Sequence, residues 1–172
     1  MQVASVMFEI RSEAPEDADA IYALTAAAFA PMAFSDGTEA ALTRALRIDR
    51  DLTLSLVAVN GAEIVGHVAF SPVTIDGILD GWFGLGPISV RPALQRRGIG
   101  TALIRQGLET LKNKNAKGCA LIGNPDYYHR FGFQSDGGLT YGDLPVRLVQ
   151  WVAFEDSPAR GALAFAPAFG DG

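Results

Sequence analysis

The chain has 172 residues, of which 49% are hydrophobic, and a formal net charge of −5 at neutral pH. This length and composition suit one domain with a substantial core, and we expect a single domain over residues 1–172. The acidic balance argues against nucleic-acid binding, and no apolar stretch approaches the length of a bilayer span, so we expect a cytoplasmic protein without membrane attachment. A single cysteine and two scattered histidines predict neither an intramolecular disulfide nor a bound metal.

The N-terminal part of the chain predicts a strand followed by two helices. Residues 6–11 favour a strand, and the alanine-rich, periodic segment 16–29 favours a helix that ends before Pro31. A second amphipathic helix follows, and Ser35 or Asp36 is placed to cap its N-terminus.

The middle of the chain predicts three strands. Residues 52–59 and 63–70 are rich in strand formers and flank Asn60-Gly61, a dipeptide typical of tight hairpins, which predicts antiparallel second and third strands. The fourth strand covers residues 82–90 and contains Pro87, which has no N–H to donate to a neighbouring strand. We therefore expect a bulge at that proline.

The C-terminal half predicts a helix-crossed pair of strands and then several short elements. A helix over 98–113 separates the fourth strand from a fifth at 118–122, and this connection predicts that the two strands pair in parallel. The later elements are a short helix at 126–130, a strand beginning at Gly132-Phe133, a late strand at 147–154 and a final edge strand at 162–165. The expected fold is a mixed α/β domain with a central sheet of about seven strands flanked by helices.

The start of the third helix has the features of an anion site. A helix presents unpaired N–H groups and the positive end of its dipole there. Gly98 and Gly100 permit close approach of a ligand, and Arg96 and Arg97 add donors and charge. The segment Arg91–Lys117 carries a local +6, so the rest of the chain carries −11. The pattern fits a diphosphate, although a helix start with a solvated arginine pair is the simpler alternative.

Two ordered motifs resemble those of the GCN5-related N-acetyltransferases, the GNAT family. Gln95-Arg96-Arg97-Gly98-Ile99-Gly100, which follows Ile88-Ser89-Val90-Arg91-Pro92, is similar to the family's acyl-CoA motif. Tyr128-His129-Arg130-Phe131-Gly132-Phe133 is similar to the downstream Y-x-x-x-G-F motif. The resemblance is strongest over residues 84–133. It implies the GNAT fold, in which the parallel fourth and fifth strands splay apart, with acetyl-CoA as the co-substrate.

The resemblance also implies roles for individual residues. The backbone of the fourth strand would hold the pantetheine arm and polarise the thioester carbonyl, the latter at Val90 or nearby. Tyr128 would protonate the departing thiolate, a task suited to a phenol with a reference pKa of about 10, and the adjacent Tyr127 is the competing assignment. The implied cofactor-binding residues are Ile88, Ser89, Val90, Gln95, Arg96, Arg97, Gly98, Ile99, Gly100 and Thr101.

The general base is not given by the resemblance, because many family members carry a glutamate on the fourth strand and this chain has none. Glu39, His67 and a water chain lined by polar residues such as Ser89 are the open candidates for this base, and Glu39 and His67 are the candidate substrate residues. Cys119 is a rival as a covalent nucleophile, but its apolar surroundings favour a buried strand.

The expected function is transfer of an acyl group, most simply acetyl, from acyl-CoA to a primary amine of a small molecule or peptide in a ternary complex. A non-catalytic module that binds or senses acyl-CoA is the alternative, and a protein-interaction domain is a third possibility. The acceptor amine and the choice between monomer and homodimer stay open at this point.

Overall fold

The computed structural model describes residues 7–170, which fall into two compact units. In chain order the elements are β1 (Glu9–Ser12), α1 (Ala18–Phe29), α2 (Glu39–Ile48), β2 (Leu54–Asn60), β3 (Glu63–Pro72), β4 (Thr74–Ile75), β5 (Trp82–Val90), α3 (Ile99–Asn113), β6 (Gly118–Ile122), α4 (Pro125–Tyr128), β7 (Leu139–Thr140), β8 (Val149–Ala153) and β9 (Gly161–Ala164). Six strands form one sheet in the order β1-β2-β3-β5-β6-β8, and three form a second sheet in the order β4-β9-β7. The mixed α/β class agrees with the prediction.

The first unit comprises the described residues up to Ala69 together with Pro87–Gly107. Its β1 pairs antiparallel with β2, with Glu9 opposite Val59 and Ser12 opposite Leu56. The predicted first strand at 6–11 therefore begins later than expected, and residue 6 itself lies outside the described residues. The predicted hairpin forms β2 and β3, and its Gly61 has a φ of 63°.

The N-terminal cap of α2 differs from the prediction. The helix begins after Thr38, and neither Ser35 nor Asp36 caps it. Asp36 Oδ1 instead accepts a hydrogen bond of 3.0 Å from Thr38 N, and Ser35 Oγ donates to the Glu39 carboxylate. Gly37, with a φ of 80°, reverses the chain just before the helix, so both side chains bond to the turn.

The second unit comprises Phe70–Gly86 and the described residues from Leu108 onward. Here β5 and β6 pair in parallel, as predicted for the fourth and fifth strands, with Trp82–Gly84 opposite Gly118–Ala120. The paired residues end two positions before Gly86, whose φ is 143°. Pro87 follows and has no N–H, so the backbone leaves regular pairing where the proline led us to expect a bulge.

The core of the second unit lies between its two groups of strands. β6 pairs antiparallel with β8 from Gly118 opposite Ala153 to Ile122 opposite Val149. The buried side chains packed together there are Val73, Trp82, Ala120, Leu139, Val149, Trp151, Ala159 and Leu163.

Two predicted strands of the second unit differ in the structure. No strand begins at Gly132-Phe133 in the described chain, because Gly132 has a φ of 93° and turns the backbone. Only Gln134 bridges to Trp151, through a pair of 2.9 Å backbone hydrogen bonds. The strand expected at an edge, 162–165, is instead β9, the middle strand of the smaller sheet. Among residues 7–170, no helix combines the length and the hydropathy that crossing a membrane requires.

Candidate acyl-CoA site

The backbone between β5 and α3 turns twice through the left-handed region. Arg96 has a φ of 64° and Gly98 a φ of 88°, values at which non-glycine residues are uncommon. The first hydrogen bond of the following helix runs from Ala102 N to Gly98 O, at 3.0 Å. The N–H groups of Ile99–Thr101 precede that bond and are therefore free to bind an anion at the start of α3.

The side chains of this segment divide into exposed and anchoring groups. Arg96 and Arg97 are exposed, and neither forms a salt bridge within residues 7–170. The Gln95 amide donates to Val90 O at 3.1 Å and fixes the loop to the end of β5. Ile99 is 1% exposed, so only its backbone is available to a ligand. We call residues 95–101 the anion cradle.

The position of the cradle depends on β3. A Cβ atom on Gly66 would lie 2.7 Å from Ile99 Cγ2, so only glycine allows the first turn of α3 to pack this closely on the strand. Arg91 N donates to Val65 O at 2.8 Å, and the Arg91 side chain pairs with Glu63. Sequence reasoning missed Gly66, although a glycine inside a strand pattern is a signal of such a close approach.

The predicted pantetheine-binding residues lie at the end of β5. Ile88 and Val90 are half-buried, whereas Ser89 is 2% exposed. The Ser89 hydroxyl has no hydrogen-bond partner in the part of the chain that the structure describes. A buried hydroxyl without a partner is uncommon, and it marks a place where a further polar group is expected.

Tyr128 is the last residue of α4. Asn124 caps this helix, because its Oδ1 accepts from Asp126 N at 2.9 Å and its carbonyl accepts from Tyr128 N at 3.1 Å. Burial raises the pKa of Tyr128 to about 12, with smaller contributions from Tyr127 and Cys119. The phenol therefore keeps its proton at neutral pH.

The Tyr128 ring is held against the end of β6. A Cβ atom on Gly123 would lie 2.6 Å from the ring, and the buried Gln150 donates to Gly123 O at 2.9 Å. Phe133 adds an edge-on ring contact at 6.0 Å between centroids. Neither Gly123 nor Gln150 was predicted from the sequence, although a glutamine inside the apolar run of β8 is a signal of a buried polar contact.

Tyr127, the competing assignment, has a different environment. The Arg130 guanidinium lies 4.6 Å from the centre of its ring, and Arg130 Nε donates to Tyr127 O at 2.7 Å. These contacts occupy the Tyr127 ring in the local packing of the short helix.

Cys119 is a poor nucleophile in this structure. It is fully buried in β6, and burial raises the pKa of its thiol well above the ordinary value. Since the thiolate is the reactive form, this environment argues against a covalent intermediate. Within residues 7–170, no group of three or more histidine, cysteine, aspartate or glutamate residues is arranged to hold a metal ion.

The two predicted substrate residues lie in unlike surroundings. Glu39 is in the first turn of α2, where Ser35 Oγ donates to its carboxylate. His67 is on β3 and fully buried, with its Nε2 atom 2.7 Å from Ser55 Oγ. Burial lowers the pKa of His67 to about 4. Contact of either residue with a substrate stays a prediction.

Comparison with known proteins supports the family assignment. Residues 51–135 match the sequence family described as "Acetyltransferase (GNAT) domain". The Escherichia coli K12 protein named "Uncharacterized N-acetyltransferase YhbS" is 37% identical over 126 residues, which are 73% of this chain and 72% of that protein. The chain therefore belongs to the GNAT acetyltransferase family, which confirms the predicted family.

Two crystal structures are similar over nearly the whole chain. A GNAT acetyltransferase from Brucella melitensis in complex with acetyl-CoA is 44% identical, with a TM-score of 0.86, and the match covers 95% of this chain and 99% of that one. The E. coli YhbS structure in complex with CoA is 29% identical, with a TM-score of 0.88, over 98% and 95% of the two chains. These matches confirm the predicted GNAT fold.

Proposed function

We propose that the protein is an acetyl-CoA-dependent N-acetyltransferase that transfers the acetyl group to a primary amine within a ternary complex. The observation that carries the proposal is the anion cradle, in which free N–H groups at the start of α3 lie beside Arg96 and Arg97. Cofactor binding by the two similar crystal structures supports the same ligand here. The acceptor is a small molecule or a peptide amine.

In this proposal the cradle binds the diphosphate of the cofactor. The N–H groups of Ile99–Thr101 and the dipole of α3 favour the anion, and the two arginines supply charge-assisted hydrogen bonds. The backbone of Ile88–Val90 holds the pantetheine arm and polarises the thioester carbonyl. Binding of this kind depends mainly on main-chain geometry.

The chemical step follows from the thioester. The amine lone pair attacks the carbonyl carbon, a C–N bond forms, the C–S bond breaks to release a thiolate, and the nitrogen gives up its surplus proton to solvent. Tyr128 gives its phenolic proton to that thiolate in the proposed mechanism. The phenol reaches this step protonated, because burial raises the pKa of Tyr128 to about 12.

The proposal is tested first by isothermal titration of acetyl-CoA into the parent and two matched variants. Gly98→Asp places a carboxylate in the cradle, and we expect binding at least about 100-fold weaker. Gly137→Asp is the control, because Gly137 has a φ of 82° against 88° for Gly98, and at both positions an added Cβ atom would meet open space. It should bind like the parent. A parent that does not bind acetyl-CoA would overturn the proposal.

Catalysis is tested by release of free CoA thiol when a panel of primary amines is added to the acetyl-CoA complex. We expect at least one amine to accelerate release above the rate with buffer alone. Binding without release for every amine class would favour the non-catalytic acyl-CoA-binding module. One feature favours this second function: β5 has no carboxylate that could act as the general base.

A further inference from the structure

Gln150 is a buried polar residue on β8, in the second unit. It lies opposite Leu121 of β6, and 1% of it is exposed. Its Nε2 atom donates to Gly123 O at 2.9 Å, which fixes the orientation of the amide, because Oε1 cannot donate to a carbonyl oxygen. Gln150 Oε1 has no hydrogen-bond partner among the described residues. The amide group therefore has one contact to explain it, the carbonyl of Gly123.

Fold stability gives little reason for a glutamine at this position. An apolar side chain of the same length would leave Gly123 O without its donor, whereas glutamine leaves its own Oε1 without one. Each arrangement contains one unpaired acceptor, and the penalty is of the same kind in both. The difference is that glutamine holds the Gly123 carbonyl in one direction. A positioning role accounts for this exchange better than a stabilising one.

Gly123 connects the end of β6 to α4, and both of its backbone polar groups are bonded to the segment that contains β8. Its N–H donates to Leu148 O at 3.1 Å, and its carbonyl accepts from Gln150. That carbonyl belongs to the peptide that leads into Asn124, which caps α4 and accepts from Tyr128 N at 3.1 Å. Gln150 thereby fixes the start of the helix that ends in Tyr128.

Gly123 also forms one wall of the site that holds the Tyr128 ring. A Cβ atom at Gly123 would lie 2.6 Å from Cε2 and 3.0 Å from Cδ2, so one edge of the ring occupies the place of a side chain. The rings of Phe131 and Phe133 lie 6.4 and 6.0 Å away between centroids. Because Cε2 is bonded to the carbon that carries the hydroxyl, a shift of the Gly123 backbone moves that hydroxyl.

We propose that Gln150 is a positioning residue for the transfer reaction, which holds the Tyr128 hydroxyl where the departing thiolate is protonated. The inference deepens the proposed function and rests on it. In the step concerned, the O–H bond of Tyr128 breaks as an S–H bond forms on CoA, and the phenolate regains a proton from solvent. Gln150 gains and loses no proton. It acts through Gly123, by the ring contact and by the start of α4.

The contact is tested first without substrate, by NMR of protein labelled with ¹³C at the hydroxyl-bearing ring carbon of tyrosine. The chain has four tyrosines, and Tyr128→Phe identifies the signal of Tyr128. Gln150→Met keeps the length of the side chain and removes the donor. We expect it to shift the Tyr128 signal, with a melting temperature close to that of the parent. An unshifted Tyr128 signal would overturn the inference.

Thr140→Val is the matched control for Gln150→Met. It removes a hydroxyl of the same unit that donates to Gly161 O at 3.3 Å, in the smaller sheet. The Tyr128 signal should stay in place in this variant. A shift as large as that in Gln150→Met would show that any lost hydrogen bond of the unit disturbs the ring, and would overturn the inference.

The effect on the reaction is measured by thiol release with the amine that the screen identifies. We expect Gln150→Met to lower kcat about 10-fold and to leave the Kd for acetyl-CoA within about twofold of the parent, because a misplaced catalytic group slows the chemical step. Thr140→Val should follow the parent in both. A parent-like kcat in Gln150→Met, with or without a loss of affinity, would overturn the inference.

Gly123→Ala displaces the same ring directly and replaces Gln150→Met if that variant folds poorly. The added methyl group would occupy the place of the ring edge, so we expect a shifted Tyr128 signal and a kcat at least about 10-fold lower. A parent-like kcat in a variant whose Tyr128 signal has shifted would overturn the inference.

A double-mutant cycle separates positioning from general damage. If Gln150 acts through the Tyr128 hydroxyl, Gln150→Met should lower kcat much less in a Tyr128→Phe background than alone, because the positioned group is gone. Losses that multiply would show a structural role and overturn the inference while the function stands. An unchanged kcat in Tyr128→Phe has the same consequence. If the parent binds acetyl-CoA but releases no thiol with any amine, the proposed function fails and the inference fails with it.

Discussion

Burial moves the pKa values of titratable groups in opposite directions in the two units of this molecule. In the first unit it lowers the pKa of His67 to about 4. In the second unit it raises the pKa of Tyr128 to about 12, and it raises that of the Cys119 thiol as well. The cause is the same in each case, because loss of water penalises the charged form. All three side chains are therefore neutral at pH 7.

The neutral side chains differ in the residues that surround them. His67 is joined through Ser55 to Glu13 and Arg47, and burial has the largest effect on its pKa, while the field of Glu13 raises it and the field of Arg47 lowers it. Tyr128 lies among the rings of Tyr127, Phe131 and Phe133 and has a proton to give. His67 thus resists taking up a proton, whereas Tyr128 resists losing one.

The largest expected effect tests the burial of His67. The unfolded chain binds a proton at this residue below about pH 6.5, whereas the folded protein resists protonation until about pH 4. Stability is therefore lost as the pH falls through this window, on the order of 3 kcal/mol by pH 4. Urea unfolding at pH 7, 5.5 and 4.5 measures the loss.

His67→Gln is the control for that measurement. Glutamine has no titrating group, so the variant should lose less stability between pH 7 and 4.5. Its free energy of unfolding at pH 7 should be lower than that of the parent. The lowered pKa of the Glu13 and Asp17 carboxyls contributes a loss of the same sign at lower pH in both proteins. Parallel curves for parent and variant would show that His67 is not kept neutral by the fold.

The next effect tests the proton donor of the second unit. Tyr128→Phe should lower kcat about 100-fold and leave the Kd for acetyl-CoA unchanged, because the hydroxyl is removed and the ring packing is kept. Tyr127→Phe, made at the adjacent position, should retain nearly full turnover. A larger loss of kcat in Tyr127→Phe would reverse the assignment of the acid.

The smallest expected effect tests the anchor of the anion cradle. Gly66→Ala would bring a methyl group against Ile99 and shift the first turn of α3, at a cost of about 1–2 kcal/mol. We expect acetyl-CoA binding by the folded variant to be several-fold weaker, measured by titration beside a thermal unfolding scan.

Val65→Ala is the matched control for Gly66→Ala. Val65 is fully buried on the opposite face of the same strand, so its truncation should destabilise the protein by a similar amount through a cavity. Its affinity for acetyl-CoA should equal that of the parent. Equal affinities in both variants would contradict the role of Gly66 in placing the cradle.

The parts of the candidate site that could be predicted from the sequence are those formed by consecutive residues. The segment 95–101 contains its own turn, helix start and charges, so its conformation follows from local rules. The same holds for the short helix that contains Tyr128, which was predicted at 126–130 and lies at Pro125–Tyr128. Local rules failed where a glycine turn interrupted a predicted element. Gly132 turns the chain where the apolar Phe133 suggested a strand. Gly37 leaves Ser35 and Asp36 outside the helix that they were expected to cap.

The sequence by itself determined the family, the order of the main elements and the location of the cradle, because these depend on residues that are neighbours along the chain. Only the tertiary structure joined Glu13 to Ser55, which lie 42 positions apart, and brought Gly66 under Ile99. A serine or histidine inside an apolar strand signals a buried partner, but sequence spacing does not say which one. The partner is decided by strand order and by the packing of helices on the sheet. These long-range contacts determine how far each side chain is buried from water and which charged groups lie near it.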